Sequence, residues 1–160
     1  MKIRLQKIIA DAGLTSRREA ERWMSEGRVK VNGNVVTKLG TTADPLSDEI
    51  RVNAKLIPRS QERVFIFLNK PANFLTTMGK DERGRKTVMD LLVNVPCRVF
   101  PVGRLDYNTQ GALLLSSDGA LTKKLLDPKN KVPRNYLVKV RGVPNEKTLR
   151  RLGRGVRLDD

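Results

Sequence analysis

The segment Gly103-Arg104-Leu105-Asp106-Tyr107-Asn108-Thr109-Gln110-Gly111 places an arginine and a carboxylate two residues apart between bracketing glycines. Glycines stand where a backbone turns tightly or meets a ligand closely. As an isolated Arg-x-Asp, the pair reads as a surface turn closed by a local salt bridge, so the wider sequence has to decide. The chain contains no histidine. That removes Ser-His-Asp and Cys-His nucleophile systems and any histidine-bound metal. The one cysteine, Cys97, can form neither an internal disulfide nor a thiolate zinc cluster, which suits a reducing cytosol. Tyr136, in Arg134-Asn135-Tyr136-Leu137-Val138, reads as a strand tyrosine half buried in a sheet.

Charge points to the partner. Lysine and arginine number 32 against 17 aspartates and glutamates, a formal +15 over 160 residues. With 39% hydrophobic and 31% charged residues the composition is that of a soluble globular protein. A polyanion is the expected partner, the plain alternative being a merely cationic surface. Residues 1–60 carry a net +5 and residues 61–160 a net +10, so both halves share the excess. Pro58-Arg59-Ser60-Gln61-Glu62 is the natural boundary, giving modules at 1–60 and 61–160 with a flexible joint between them. The longest apolar run, Val64 to Leu68, is far short of a membrane span. The N-terminus, Met1 to Lys7, lacks the apolar stretch of a signal peptide. A cytoplasmic protein without membrane contact is expected.

The elements that must position these residues can be read from spacing. Leu5, Ile8, Ile9 and Ala12 recur at helical intervals, ending at Gly13. Ser16-Arg17-Arg18-Glu19 is a capping box opening a second helix, with Ala20, Trp23 and Met24 on one face and a stop at Gly27. Val29 and Val31 alternate with charge, and Asn32-Gly33 is a type I′ hairpin signal leading into Val35-Val36. Ile50, Val52, Leu56 and Ile57 complete a small sheet. In the second module, strands are expected at Val64–Leu68, Arg98–Val102, Ala112–Leu115 and Tyr136–Val140. Thr87 caps a short helix through Leu92, a helix carries Leu121, Leu125 and Leu126, and another follows Pro144. The fold class is α+β, without the strict alternation of a doubly wound sheet.

On a helical wheel Arg18 and Arg22 lie opposite the apolar face of the second helix, with Arg17 on its flank and Arg28 and Lys30 at its exit. Glu19, Glu21 and Glu26 stand among them, so spacing alone is balanced between a solvated face and a binding face. Leu5-Gln6-Lys7-Ile8-Ile9-Ala10, Gly13-Leu14-Thr15-Ser16-Arg17-Arg18-Glu19-Ala20 and Gly27-Arg28-Val29-Lys30-Val31-Asn32-Gly33 resemble the αL-motif RNA-binding domain of the fourth small-subunit ribosomal protein. The resemblance covers residues 3 to 57. It implies that two helices and a hairpin grip structured RNA, with Arg17, Arg18 and Arg28 at matching positions; Arg22 and Lys30, placed beside them by spacing, are expected to join the RNA contacts.

The string Gly103 to Gly111, followed by leucines and closed by Asp118-Gly119, resembles the central motif of RNA pseudouridine synthases. Leu68-Asn69-Lys70-Pro71 with Thr76 resembles the first motif of that family, and Arg134 to Val138 its tyrosine-bearing strand. Together with the αL domain, the chain resembles the RsuA-type branch, the bacterial ribosomal RNA pseudouridine synthases, and is nearer its large-subunit members. The resemblance implies an enzyme whose catalytic module is mixed α/β with an antiparallel sheet. Asp106 would be the nucleophile or base, Arg104 would fill the space vacated by a flipped uridine, and Tyr136 would lie against the uracil. Lys70 and the loop of Lys80, Arg83, Arg85 and Lys86 would follow phosphates of ribosomal RNA, the alternative for the loop being a plain solvated surface. The isomerisation needs no redox step and no water, so no cofactor and no metal is expected.

Two features depart from the family pattern. Ala112 stands where leucine is usual, and the chain reaches Asp160 where family members continue for several strands that carry a basic partner for the aspartate. The chain is therefore expected to be the N-terminal portion of such a fold, monomeric, with turnover by these 160 residues in question. The alternative reading is a ribosomal-RNA-binding or ribosome-assembly protein that keeps the fold without activity.

Overall fold

The computed structural model describes residues 1–58 and 63–157. The boundary expected at 58–62 therefore lies, apart from Pro58, outside the described residues.

In the first sixty residues, β1 (Ile3–Arg4) leads directly into α1 (Leu5–Asp11), and α2 (Arg17–Ser25) packs against it. Ser16 caps α2 by accepting the Glu19 N–H at 3.1 Å. The capping box is only half made. The Glu19 carboxylate turns forward instead, accepting Trp23 Nε1 at 2.9 Å and pairing with Arg22 at 2.7 Å. Beyond α2 come β2 (Val29–Val31), β3 (Asn34–Val35), β4 (Thr42–Ala43), β5 (Ile50–Val52) and β6 (Lys55–Leu56). They form an antiparallel sheet of order β3-β2-β5-β6, while β4 pairs with β1. Asn32 (φ 50°) and Gly33 (φ 83°) are both left-handed, as the expected type I′ turn requires. A second such turn, at Asn53 (φ 49°) and Ala54 (φ 65°), joins β5 to β6. Leu5, Ile9, Ala20, Met24 and Val29 are fully buried in one core with Ile50 and Val52, and Trp23 packs on its edge.

After residue 63 the sheet is β7 (Phe65–Lys70), β8 (Phe100–Pro101) and β9 (Gly111–Ser116), in the antiparallel order β7-β9-β8. Six residue pairs join β7 to β9, from Phe65 opposite Ser116 to Lys70 opposite Gly111. Leu68 faces Leu113 and Ile66 faces Leu115 on the buried side, while Phe65 and Phe67 stand on the other, exposed side. α3 (Gly119–Leu126) begins where Asp118 accepts the N–H groups of Ala120 and Leu121. α4 (Glu146–Gly153) begins at Asn145, which caps Thr148.

Four expectations change. β7 runs on to Lys70, and the strand at Arg98–Val102 shrinks to β8. The helix after Thr87 is a single 3₁₀ turn, Val88–Leu91, because Asp90 reaches back to the Thr87 N–H at 2.7 Å and the chain turns extended at Leu92. The strand at Tyr136–Val140 does not form: residues 132–140 carry no regular structure and are exposed, and no neighbouring strand among the described residues supplies a ladder. β-propensity without a partner to hydrogen-bond does not make a strand.

Candidate active site

The register of β7 against β9 sets the site. β9 starts at Gly111, at the end of the loop 103–110, and the last residue of β7, Lys70, lies directly across from it. Alternation along β7 turns Lys70 to the same side as Ile66 and Leu68, and its side chain is completely buried. The ammonium donates to the carbonyl oxygens of Pro71 (3.1 Å), Asp106 (3.0 Å), Tyr107 (3.3 Å) and Thr109 (2.6 Å). Burial holds its pKa below the ordinary lysine value, and the negative charge of Asp106 acts in the opposite sense. Lys70 is therefore not a phosphate contact. A side chain with no exposed surface and four carbonyls around its head fastens the loop from beneath.

Two further attachments hold the same loop. The Asn73 N–H donates to Tyr107 O at 2.8 Å. Thr76 Oγ1 donates to Leu105 O at 2.6 Å and accepts the Leu105 N–H at 3.2 Å. Sequence reasoning assigned no role to Thr76 beyond its place in the first motif.

Against this fixed backbone, Arg104 and Asp106 are both exposed. Among the described residues they form no ion pair with each other or with a neighbour, so the closed surface turn is not what the loop adopts. Arg104 lies between two concavities. One, of about 510 Å³, is walled by Phe67, Leu114, Leu126, Arg134 and Tyr136. The other, of about 600 Å³, is walled by Thr76, Lys80, Arg83 and Arg85. Arg104 and Tyr136 thus share a cleft that Asp106 does not line, and Tyr136 is 64% exposed rather than half buried.

The loop from Met78 to Lys86 is built on Asp81. Its carboxylate accepts the N–H groups of Arg83 and Arg85 and takes the Arg85 guanidinium through Nε (3.0 Å) and Nη2 (2.9 Å). These bonds, the Arg85 side chain first, lower the Asp81 pKa to about 2. Arg85 in turn lies 5.6 Å over the Tyr107 ring. Arg83 and Lys86 are exposed and make no ion pair among the described residues.

In the first module, Arg17, Arg18 and Lys30 are exposed without an ion pair among the described residues. Arg22 is held by Glu19 and Glu26, and Arg28 by Glu26 and Asn53 while it stacks 4.8 Å over Trp23. The five cations are not equivalent: three are free and two are committed within the module.

Residues 64–152, more than half of the chain, match the family described as RNA pseudouridylate synthase. The chain belongs to that family. Residues 3–50 match the S4 domain. An "uncharacterized RNA pseudouridine synthase" of Aquifex aeolicus is 46% identical over 160 residues, all of this chain and 64% of the relative. A "ribosomal large subunit pseudouridine synthase B" of Bacillus subtilis is 47% identical over 157 residues, 98% of this chain and 63% of the relative. A Pseudomonas aeruginosa protein of the same name is 42% identical over 163 residues, 98% of this chain and 41% of the relative. The chain therefore spans less than two thirds of the length of these relatives. The S4 match precedes the synthase match along the chain.

Proposed function

We propose that this chain isomerises a uridine of ribosomal RNA to pseudouridine, with residues 1–60 gripping the RNA and residues 61–160 carrying the chemistry. The observation that carries the reading is an exposed, unpaired Asp106 carboxylate on a loop whose backbone is tied down by Lys70, Asn73 and Thr76. Such an arrangement presents a nucleophile or base at low reorganisation cost. In the reaction the bond from sugar to ring nitrogen breaks, a ring carbon bonds to the sugar, that carbon loses a proton and the nitrogen gains one. Atoms and electrons balance within the nucleotide, so the step calls on no cofactor.

The target base must first leave its stack, at a cost of a few kcal/mol. Arg104, free and set between two concavities, is suited to enter the vacated space. Tyr136 would face the flipped uracil across the cleft it shares with Arg104. Arg83 and Lys86, with Arg17, Arg18 and Lys30 in the first module, would neutralise phosphates. Arg85 serves the site indirectly by lying over Tyr107. The shared name of the Bacillus and Pseudomonas relatives supports large-subunit RNA as the target. A cytoplasmic monomer fits this role.

A second reading, an RNA-binding protein without turnover, is favoured by one observation. Among the described residues, 132–140 join no strand, so no ladder holds Tyr136 against Asp106. Mapping pseudouridines in ribosomal RNA from cells with and without the gene separates the two. Loss of one large-subunit pseudouridine is the expected result, and an unchanged map supports the binding protein.

A further inference from the structure

The loop bearing Asp106 is fastened on its far side by Lys70, which takes the carbonyls of residues 106, 107 and 109. Its near side, from Gly103 to Leu105, depends on a different side chain. Gly103 is left-handed (φ 84°), a point where the chain can pivot. Between that pivot and Asp106 stands Leu105, and the hydroxyl of Thr76 bonds both its N–H and its C=O. From this geometry we infer that Thr76 is a positioning residue for Asp106, a role that rests on the reading of Asp106 as the reacting carboxylate.

A threonine suits this task for a chemical reason. One hydroxyl can donate and accept at once, so a single atom fixes both ends of the residue before Asp106. That sets the two peptide planes leading into the Asp106 Cα and, with Lys70 behind it, ties the backbone that carries the carboxylate on both sides. Thr76 is itself held firmly. The N–H of its neighbour Leu75 donates to Lys86 O at 2.9 Å, and Val88 N–H donates to Leu75 O at 2.8 Å. The hydroxyl therefore joins the base of the Met78–Lys86 loop to the loop that carries the reaction. Valine would fill the same volume and serve neither backbone group, whereas serine keeps both bonds.

The test compares Thr76→Val, Thr76→Ala and Thr76→Ser with the parent chain by amide hydrogen exchange. Both Val and Ala should speed exchange at the Leu105 N–H by about tenfold or more, since the removed bond is its partner. The β7 and β9 amides should keep their protection, and Ser should restore Leu105. On a ribosomal RNA fragment, Val should slow single-turnover conversion on the order of 100-fold, the scale of a displacement near 1 Å at a reacting group. RNA affinity should stay within about threefold, and Ser should recover the rate. Leu105 protection that survives in both Val and Ala overturns the inference, as does a conversion rate that Val leaves unchanged or that Ser fails to recover. If the parent chain converts nothing, the proposed activity falls, and the exchange comparison alone decides whether Thr76 holds the loop.

Discussion

Lys70→Met removes the ammonium from beneath the loop at nearly constant volume. The ammonium has three protons, so it satisfies three of its four carbonyl neighbours at any moment. Each carbonyl deprived of its donor costs about 1–3 kcal/mol when buried. The carbonyls of Asp106 and Tyr107 belong to a loop that water can reach, which places them at the low end, about 1 kcal/mol each. Methionine also spares the folded state the dehydration of a charge, a partial offset. With about 1 kcal/mol more for the third lost bond, to Thr109 or Pro71, a net loss of about 2 kcal/mol follows after the offset. For a module near 100 residues this lowers the melting temperature by roughly 8–16 °C. The assay is thermal unfolding followed by far-UV circular dichroism beside fluorescence of Trp23, the one tryptophan, which lies in the first module. The drop should appear in the transition that leaves Trp23 unaffected. RNA binding measured below that transition should keep its salt dependence, because Lys70 meets no phosphate. A Lys70→Met protein as stable as the parent, or one whose salt slope falls by about 0.7–0.9, would refute the buried-fastener assignment.

Other perturbations follow from the same contacts. Arg17→Ala with Arg18→Ala should weaken ribosomal RNA binding and flatten its log–log salt slope by about 0.7–0.9 per lost phosphate contact; Arg22→Ala, whose guanidinium is held by Glu19 and Glu26, should change the slope little. Equal effects from the two would mean that the free and committed arginines are not distinguished by RNA. Asp81 should titrate near 2 in a carboxyl-carbon NMR experiment, below its reference 3.8. Because the folded value is depressed, its clasp on Arg85 is fully present above about 3.8 and fades as pH falls through about 2, and a midpoint near 3.8 would contradict the clasp.

How much of this was legible in the sequence depends on whether the cause was local. Asn32-Gly33 announced its turn because two left-handed residues need those side chains, and Ser16 announced its cap for a similar reason. The turn at Asn53-Ala54 gave no such signal, since alanine has no preference for the φ of 65° that the sheet imposes on it. Lys70 was misread because its charge outweighed its position. The alternation Ile66, Leu68, Lys70 already pointed it inward, and that period was the usable clue. Tyr136–Val140 has strong strand character, yet a ladder is a property of two segments, and its partner cannot be read from one. The Thr76 clamp joins residues 29 positions apart and leaves no periodic trace in the chain. The Arg104–Asp106 pair was visible only as part of a longer string; the freedom of its charges needed the structure.

The central claim is that Asp106 carries the reaction while the basic residues carry affinity. Asp106→Asn keeps the shape of the side chain and removes its negative charge. The decisive measurement is single-turnover conversion of uridine in a large-subunit ribosomal RNA fragment, run beside a binding isotherm on the same RNA. The account predicts no detectable conversion with affinity within about tenfold of the parent, because phosphate contacts dominate binding. Conversion by Asp106→Asn at a rate comparable to the parent would contradict it.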